Sequence, residues 1–249
     1  MKNFSVPAQA AAASSAFPEL EPPQTRGDYG ALSSRDKKRM RVRAQRETAR
    51  QRGSIRASAL SFANMHNYGE LLFDYFQARK EVFIDQLGWD IPQADGMEFD
   101  QYDTPQCRWV IVHEYGEVLA GIRLQPTTAR CGIYSYMLRD AQRGILENMP
   151  RDVLFMDAPV DPRVWEAARV FITENVPAQR RMEIQQVLVN QLIATARELG
   201  ASHVIGIVPA IWSRWLRRLD LRAVPIGPRF RTDGTYSQAI LFNVVQAMN

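Results

Sequence analysis

The segment from Arg79 to Asp103, RKEVFIDQLGWDIPQADGMEFDQYD, concentrates residue types that can hold a small charged molecule. Arg79 and Phe83 are one helical turn apart, so both can lie on one face of a helix, and Trp89 follows them. Carboxylates then occur in a glycine-containing stretch without a helical period, at Asp95, Glu98, Asp100 and Asp103. Aromatic faces beside carboxylates and an arginine suit a small cationic ligand that carries its own carboxylate. For any single carboxylate, a solvated acidic loop is the alternative.

The elements that must position these residues alternate between helix and strand patterns. Apolar spacing predicts helices at 67–87, 136–146, 178–199 and 211–219. Strands are predicted at 57–62, 108–114, 117–125, 153–157, 165–173, 203–208 and 238–245. Tyr115-Gly116 joins two of the strands as a hairpin, and Gly200 stops the long third helix. This order predicts one α/β (α+β) domain over residues 57–249, with a mixed sheet flanked by helices on both faces.

The first 56 residues differ in composition from the rest. Residues 1–34 are rich in Ala, Ser and Pro, which predicts disorder. From Arg35 to Arg56 there are ten Lys or Arg and two acidic residues, a balance of +8 in a chain whose net charge is +4. The segment has no apolar face and no interleaved aromatics. These features favour a solvated basic tail over contact with nucleic acid, anionic lipid or an acidic partner. A true start at Met40 is a further alternative.

Composition narrows the class of protein. No apolar run reaches the length of a membrane span, and the N-terminus has no apolar core of a secretory signal. Cysteine occurs only at positions 107 and 131, which favours a reduced, cytoplasmic protein over a disulfide framework. The histidines at 66, 113 and 203 have no paired-ligand spacing, so we expect no metal site.

Four motifs in order resemble those of the LuxI-type acyl-homoserine-lactone synthases, a family with the GNAT acyltransferase fold. The first is the 79–103 segment. GIRLQPTT (121–128) resembles the family's Arg-Leu-x-Pro-Thr-Thr strand end, and YSYMLRD (134–140) resembles the segment that follows it. VWEAARVFI (164–172) resembles the Trp-Glu-x-Ser-Arg-Phe strand. The resemblance spans residues 57–249 and leaves the N-terminal extension, 1–56, unexplained.

The resemblance implies an acyl transfer between two substrates, without a cofactor. S-adenosylmethionine supplies the amine, and the phosphopantetheine thioester of an acidic acyl-carrier protein supplies the acyl chain. The methionine carboxylate then displaces methylthioadenosine and closes the lactone. An α-amino group has a pKa of about 8, so a base must first remove a proton. A donor must also stabilise the oxyanion of the tetrahedral intermediate.

Matching the motifs assigns roles to residues of this chain. Glu166 is the candidate base and Arg169 the arginine of the same catalytic motif; a structural partner for an arginine is the alternative role of Glu166. On a flat strand these two side chains would point to opposite faces, so we expect a β-bulge there. The expected S-adenosylmethionine pocket comprises Arg79, Phe83, Trp89, Asp100, Asp103 and Arg123. Together with Arg169, its charged members are expected to form an ion-pair and hydrogen-bond network that shapes the pocket. A purely structural ion-pair network, with Phe83 as core, is the alternative.

The acyl pocket is expected between the strand of Glu166 and the 203–208 strand, at Ala168 and Gly206. Ala168 replaces the serine usual in the family, and Val170 replaces the usual phenylalanine. In the family, a hydroxyl residue aligned with Gly206 accompanies 3-oxo chains. Gly206 has no side-chain donor, which favours an unsubstituted chain or one that is not read at this point.

An acidic carrier protein calls for cations near the pantetheine entrance. The candidates are Arg180, Arg181, Arg214, Arg217 and Arg218. Solvated helix faces are the alternative explanation for these arginines.

Two other functions compete with this one. A general GNAT N-acyltransferase would use acyl-coenzyme A and a different amine, and such enzymes hold the pyrophosphate with a glycine-rich loop at a helix N-terminus. The equivalent segment here, VPAQRRMEI (176–184), contains no glycine, which disfavours coenzyme A. The second competitor is a non-catalytic descendant that binds nucleic acid through the basic tail. The intact set of site residues argues against this second function, because a non-catalytic scaffold would not require Arg79, Trp89, Asp100, Asp103, Glu166 and Arg169.

Overall fold

One mixed sheet of seven strands organises the computed structural model, which describes residues 55–209, 222–232 and 235–245. In chain order the strands are β1 (Ile55–Leu60), β2 (Gln93–Ala94), β3 (Met97–Glu98), β4 (Arg108–Glu114), β5 (Glu117–Pro126), β6 (Val164–Ile172), β7 (His203–Pro209), β8 (Ala223–Thr232) and β9 (Thr235–Asn243). The α-helices are α1 (Leu71–Lys80), α2 (Met137–Gln142) and α3 (Ala178–Glu198). A 3₁₀ turn (Met65–Tyr68) precedes α1, and a π-helical turn (Glu81–Gln86) continues it.

The strand order in the sheet is β1-β4-β5-β6-β7-β9-β8, and β2 pairs with β3 in a separate short ribbon. All neighbours in the large sheet are antiparallel except β6 and β7. That parallel pairing runs only from Val164–His203 to Ala167–Gly206. Beyond Ala167 and Gly206 the two strands are no longer paired, so the sheet splits between them.

α3 covers one face of the sheet. Its buried residues, among them Ile184, Leu188 and Leu192, pack with Ile122 and Leu124 of β5 in the largest apolar cluster. The helix ends in a Schellman motif, with Ala201 N–H donating to Ala196 O and Gly200 N–H to Arg197 O. A left-handed φ of 78° at Gly200 makes this ending possible.

The opposite face, here called the site face, carries Gly121, Arg123 and Gln125 of β5. α1 packs on it so closely that a Cβ atom at Gly121 would lie 2.4 Å from the Tyr75 ring. A glycine is therefore required for α1 to approach the sheet. α1 and the sheet share a second apolar cluster on this face, which includes Tyr75, and the π-helical turn adds Val82 and Phe83 to it.

Most of the predicted architecture is confirmed. The fold is a mixed sheet with helices on both faces, and the 108–114 and 117–125 strands form the predicted hairpin. The predicted long third helix and its stop at Gly200 are present. The first α-helix begins at Leu71 rather than at residue 67, and α2 is shorter than predicted. β1 begins at Ile55, two residues before the predicted domain boundary.

One strand prediction is wrong, and one strand was not predicted. Residues 153–157 form no strand; Val153 and Leu154 are buried in an irregular segment whose Phe155 N–H donates to Ile226 O of β8. The apolar character of these residues reflects their packing under the β8–β9 hairpin. β8 was not predicted because two prolines and a glycine interrupt its pattern. β8 is an edge strand, where proline is tolerated since one side of the backbone needs no partner.

Some predictions fall on residues outside the described ranges. They are the disorder of residues 1–34, most of the basic segment, the 211–219 helix, and Arg214, Arg217 and Arg218.

Candidate functional site

A buried ion-pair cluster lies between α1 and the acidic loop after β3. Arg79, at the end of α1, has a fully buried side chain. Its Nε donates to Glu98 Oε2 at 2.5 Å, and its two terminal nitrogens donate to both oxygens of Asp103 at 2.8 and 3.0 Å. The bidentate geometry fixes the loop against the helix.

Two further arginines complete the cluster from the sheet. Arg123 of β5 donates to Asp100 at 2.5 Å and lies 2.9 Å from Asp103. Arg169 of β6 donates to Asp100 at 2.8 Å and to Glu98 at 3.2 Å. Three guanidinium groups thus face three carboxylates. The cluster is neutral as a whole, so it forms a rigid floor and offers no surplus charge to a ligand.

The cluster also fixes the ionisation of its members. Burial alone would raise the pKa of Asp100 and Asp103, but the Arg123 guanidinium and its neighbours outweigh burial and lower both pKa values. The pKa of Arg123 is raised, because Asp100 and Asp103 outweigh its burial. Trp109 Nε1 donates a further hydrogen bond to Asp103 at 2.9 Å.

An aromatic wall stands on this floor. Phe83 and Trp89 stack with their ring centroids 4.9 Å apart and their planes 22° apart. The Arg169 guanidinium carbon lies 5.7 Å from the Phe83 centroid and 6.0 Å from that of Trp89. Phe83 is buried, whereas Trp89 is half-buried and keeps part of its ring towards solvent. The wall can therefore accept a cation from outside.

The expected bulge in β6 is present. Gly121 pairs with Phe171 and Arg123 pairs with Ala168, so Arg169 and Val170 together face one residue of β5. Arg169 has a φ of 56°, a left-handed conformation that is costly for a residue with a side chain. The bulge turns Arg169 to the site face, where it contacts Glu98 and Asp100. Glu166 and Arg169 thus share a face but make no ion pair with each other within the described residues.

Glu166 is held by the first turn of α2. Its Oε2 accepts the N–H of Met137 at 2.9 Å, and its Oε1 accepts the N–H of Leu138 at 2.8 Å. The residue is only 1% exposed, and burial raises the pKa of its carboxyl from 4.5 to about 7, although the two amides partly offset this rise. The alternative role, a structural partner for an arginine, is not seen: among the described residues, the carboxylate accepts hydrogen bonds from these two amides. Glu166 can therefore take up or release a proton near neutral pH.

Neighbouring polar groups hold α2 in place for this contact. Gln125, directly opposite Glu166 in the register, donates to Ser135 O at 3.0 Å. Asp140 accepts the Ser135 N–H at 2.8 Å and the Tyr102 hydroxyl at 3.1 Å. Through Tyr102, the segment before α2 is tied to the acidic loop.

The two residues expected in the acyl pocket flank the split in the sheet. Ala168 lies opposite Arg123 on the site face, one position before the bulge. Gly206 is the last residue of β7 that pairs with β6. A Cβ atom at Gly206 would lie 2.6 Å from the carbonyl oxygen of Ala167, so the two strands separate immediately beyond a point of backbone contact.

The arginines expected to dock a carrier protein have other partners at the start of α3. Arg180 forms a two-bond ion pair with Glu114, at 2.9 and 3.1 Å. Arg181 is 5% exposed, and its guanidinium donates to the carbonyl oxygen atoms of Val176, Thr173 and Glu174. Such burial leaves Arg181 no surface to offer a partner.

Some site residues were not singled out from the sequence. Glu98 bridges Arg79 and Arg169. In the sequence it was one carboxylate of the acidic run, with nothing to distinguish it from Asp95, which lies exposed in the β2–β3 turn. The backbone amides of α2 carry no sequence signal. Both cysteines are free thiols, and within the described ranges no cluster of His, Cys, Asp and Glu suits a metal ion. No described helix is long and apolar enough to cross a membrane.

Comparison with known proteins gives consistent matches. The sequence profile of the autoinducer synthases matches residues 61–231. An acyl-homoserine-lactone synthase of Ralstonia solanacearum is 31% identical over 155 residues, which cover 60% of this chain and 71% of the relative. One of Pseudomonas aeruginosa is 29% identical over 171 residues, covering 68% and 77%. The solved structure of the coenzyme-A-dependent synthase BjaI, with S-adenosylmethionine and isopentyl-coenzyme A, has the same fold, with a TM-score of 0.60 at 22% identity over 76% of this chain and 83% of that one.

Proposed function

Since the chain belongs to the autoinducer synthase family, whose members are acyltransferases, we propose that it transfers an acyl chain from an acyl-carrier protein to the amine of S-adenosylmethionine. Lactone closure then releases methylthioadenosine, and the product is an acyl-homoserine lactone for quorum sensing. The observation that carries this proposal is Glu166, a buried carboxyl with a pKa near 7 beside the bulge of β6.

Glu166 meets the first demand of the reaction. The attacking amine has a pKa of about 8, so it is mostly protonated at neutral pH. A base with a pKa near 7 removes that proton, directly or through one water, without requiring alkaline solution. The amides of Met137 and Leu138 hold the carboxylate in one orientation, which keeps the base positioned between turnovers.

The aromatic wall and the floor beneath it would hold S-adenosylmethionine. The sulfonium would rest against the solvent-facing part of Trp89, because an aromatic face attracts a cation. The neutral floor of Arg79, Arg123, Asp100 and Asp103 would keep this wall rigid. Peptide groups at the bulge of Arg169 would donate to the oxyanion of the tetrahedral intermediate.

The acyl chain would enter through the split beyond Ala167 and Gly206. The thioester carbonyl would then lie next to the bulge and within reach of an amine bound at Trp89. Because Ala168 replaces the serine usual in the family, the side of this split formed by β6 has no hydroxyl at that position.

A carrier protein, and not coenzyme A, is the acyl donor in this proposal. The β6–α3 connection contains no glycine that would cradle a pyrophosphate, which supports a carrier protein. BjaI is described as dependent on coenzyme A, so acyl-coenzyme A is the alternative donor.

Product analysis tests the proposal. The purified protein is incubated with labelled S-adenosylmethionine and a panel of acyl-carrier and acyl-coenzyme A donors, and the products are identified by mass. We expect methylthioadenosine together with a labelled lactone, fastest with carrier-bound donors. Free thiol without methylthioadenosine would contradict the assignment and point to a general N-acyltransferase.

A further inference from the structure

The β8–β9 hairpin carries cations for which the described chain supplies no acid. Arg229 and Arg231 of β8 are exposed, and neither makes an ion pair or hydrogen bond within the described ranges. The described residues of β8 and β9 include no Asp or Glu. Arg163, by comparison, is an exposed arginine that does have an acidic partner, Asp161.

These arginines share one face with an exposed aromatic ring. Arg231 is directly opposite Tyr236 in the register, and Arg229 is opposite Gln238. Directly opposed side chains lie on the same side of a sheet, as do side chains two positions apart. Tyr236 is 61% exposed. The hairpin therefore presents two arginines and a tyrosine on one face, residue types that are enriched in protein interfaces.

The register places this surface at the same end of the sheet as the split between β6 and β7. β6 and β7 are parallel, and β7 continues past the split to Pro209, which pairs with Ser237 at the start of β9. The end of β8 and the start of β9 thus lie at the same end of the sheet as the split. α3 begins at that end too, since it follows β6 after a short connection.

The hairpin offers side chains to a partner rather than a free strand edge. β8 is the outer strand, but Pro225 and Pro228 lie within it. Proline removes backbone donors and discourages the addition of another strand. Recognition at this edge therefore depends on the charge of Arg229 and Arg231.

We propose that Arg229, Arg231 and Tyr236 form the docking surface for the acidic acyl-carrier protein that delivers the acyl chain through the split. The inference rests on the proposed function and names the surface by which its donor is recognised. Cations near the entrance steer an acidic partner and raise its association rate. The hairpin surface takes the docking role that the sequence had suggested for the start of α3, where Arg180 is paired with Glu114 and Arg181 is buried.

The test measures binding apart from turnover. A fluorescently labelled acyl-carrier protein in its phosphopantetheine form is titrated with the wild-type enzyme, with an Arg229→Glu/Arg231→Glu variant, and with Tyr236→Ala. We expect the double reversal to weaken binding by about tenfold or more, and Tyr236→Ala to weaken it by about threefold or more. Added salt should weaken wild-type binding much more than binding by the double variant.

A matched control separates docking from net charge. Arg130→Glu/Arg222→Glu reverses two exposed arginines at the other end of the sheet and changes the net charge equally. Along β8, Arg222 is roughly 20 Å from Arg229. We expect this variant to bind the carrier as the wild type does. Equal losses in both double variants, or no loss on reversing Arg229 and Arg231, would overturn the proposed surface.

Kinetics distinguish this inference from the proposed function. In the Arg229→Glu/Arg231→Glu variant the KM for the acyl-carrier donor should rise, while the KM for S-adenosylmethionine and for acyl-coenzyme A stays unchanged. If the wild type makes lactone from acyl-coenzyme A but does not bind the carrier, the docking surface is refuted and lactone synthesis stands. A parallel rise in KM for acyl-coenzyme A would also refute docking of the carrier protein.

Discussion

Replacing Glu166 by glutamine removes the candidate base while leaving its shape almost unchanged. The folded protein raises the pKa of Glu166 from 4.5 to about 7. Ionising this carboxyl in the fold therefore costs roughly 3 kcal/mol more than in the unfolded chain. In the wild type, the raised pKa of Glu166 therefore stabilises the folded state fully below pH 4.5, and this stabilisation is lost as pH rises through 7.

The same substitution has a small expected effect on stability at alkaline pH. Glutamine avoids the cost of the buried charge, but an NH2 group, which cannot accept a hydrogen bond, replaces one of the two oxygens that accept the amides of Met137 and Leu138. An unsatisfied buried amide costs about 1–3 kcal/mol. The two effects oppose each other, so we expect the free energy of unfolding at pH 8.5 to change by less than about 2 kcal/mol.

The effect on turnover is expected to be large. Loss of a general base lowers the rate by about 10²- to 10⁴-fold. In the wild type, kcat/KM for S-adenosylmethionine should rise with pH through an apparent pKa near 7, and Glu166→Gln should abolish that limb. The assay follows methylthioadenosine release from pH 5.5 to 9, with denaturant unfolding measured on the same samples. Glu147→Gln, at an exposed carboxylate beyond α2, is the control and should change neither quantity.

A small effect of the substitution would refute the role of Glu166 as the base. If Glu166→Gln keeps the limb near pH 7 and loses less than about tenfold in rate, another group is the base. Glu166 would then serve only to hold the start of α2.

Three other perturbations test the floor, the wall and the split. Asp103→Ala should lower the free energy of unfolding by about 3–5 kcal/mol in denaturant titrations, because it leaves Arg79 and Arg123 short of a buried partner; a loss below about 1 kcal/mol would contradict this. Trp89→Leu should raise the Kd for S-adenosylmethionine about threefold to thirtyfold in calorimetric titration, while an unchanged Kd would remove Trp89 from the pocket. Gly206→Ser should lower the thermal midpoint, at a cost of about 1–3 kcal/mol, because its Cβ meets a carbonyl oxygen at 2.6 Å; an unaltered midpoint would show that the strands part freely there.

The sequence was most informative where a residue type has few alternative uses. A helical Arg79 followed by an acidic loop predicted a buried network, since buried charges of both signs must pair. Matching Glu166 and Arg169 to one motif of the family predicted a bulge, because a flat strand would place their side chains on opposite faces.

Features set by tertiary packing were beyond the sequence. Asp95 and Glu98 have the same charge in one run, but the β2–β3 turn exposes the first and buries the second. The amides that hold Glu166 belong to every residue type, so only the packing of α2 selects them. β8 looked like a loop because its prolines are tolerated only at an edge, and edge position is a property of the whole sheet.

A crystal structure of the protein with bound S-adenosylmethionine tests the central claim most directly. We predict the sulfonium within about 6 Å of the centroid of the Trp89 ring. The amine should lie within hydrogen-bond distance of the Glu166 carboxylate, directly or through one water. A ligand bound away from Trp89, or one whose amine points away from both Glu166 and the split in the sheet, would contradict the account.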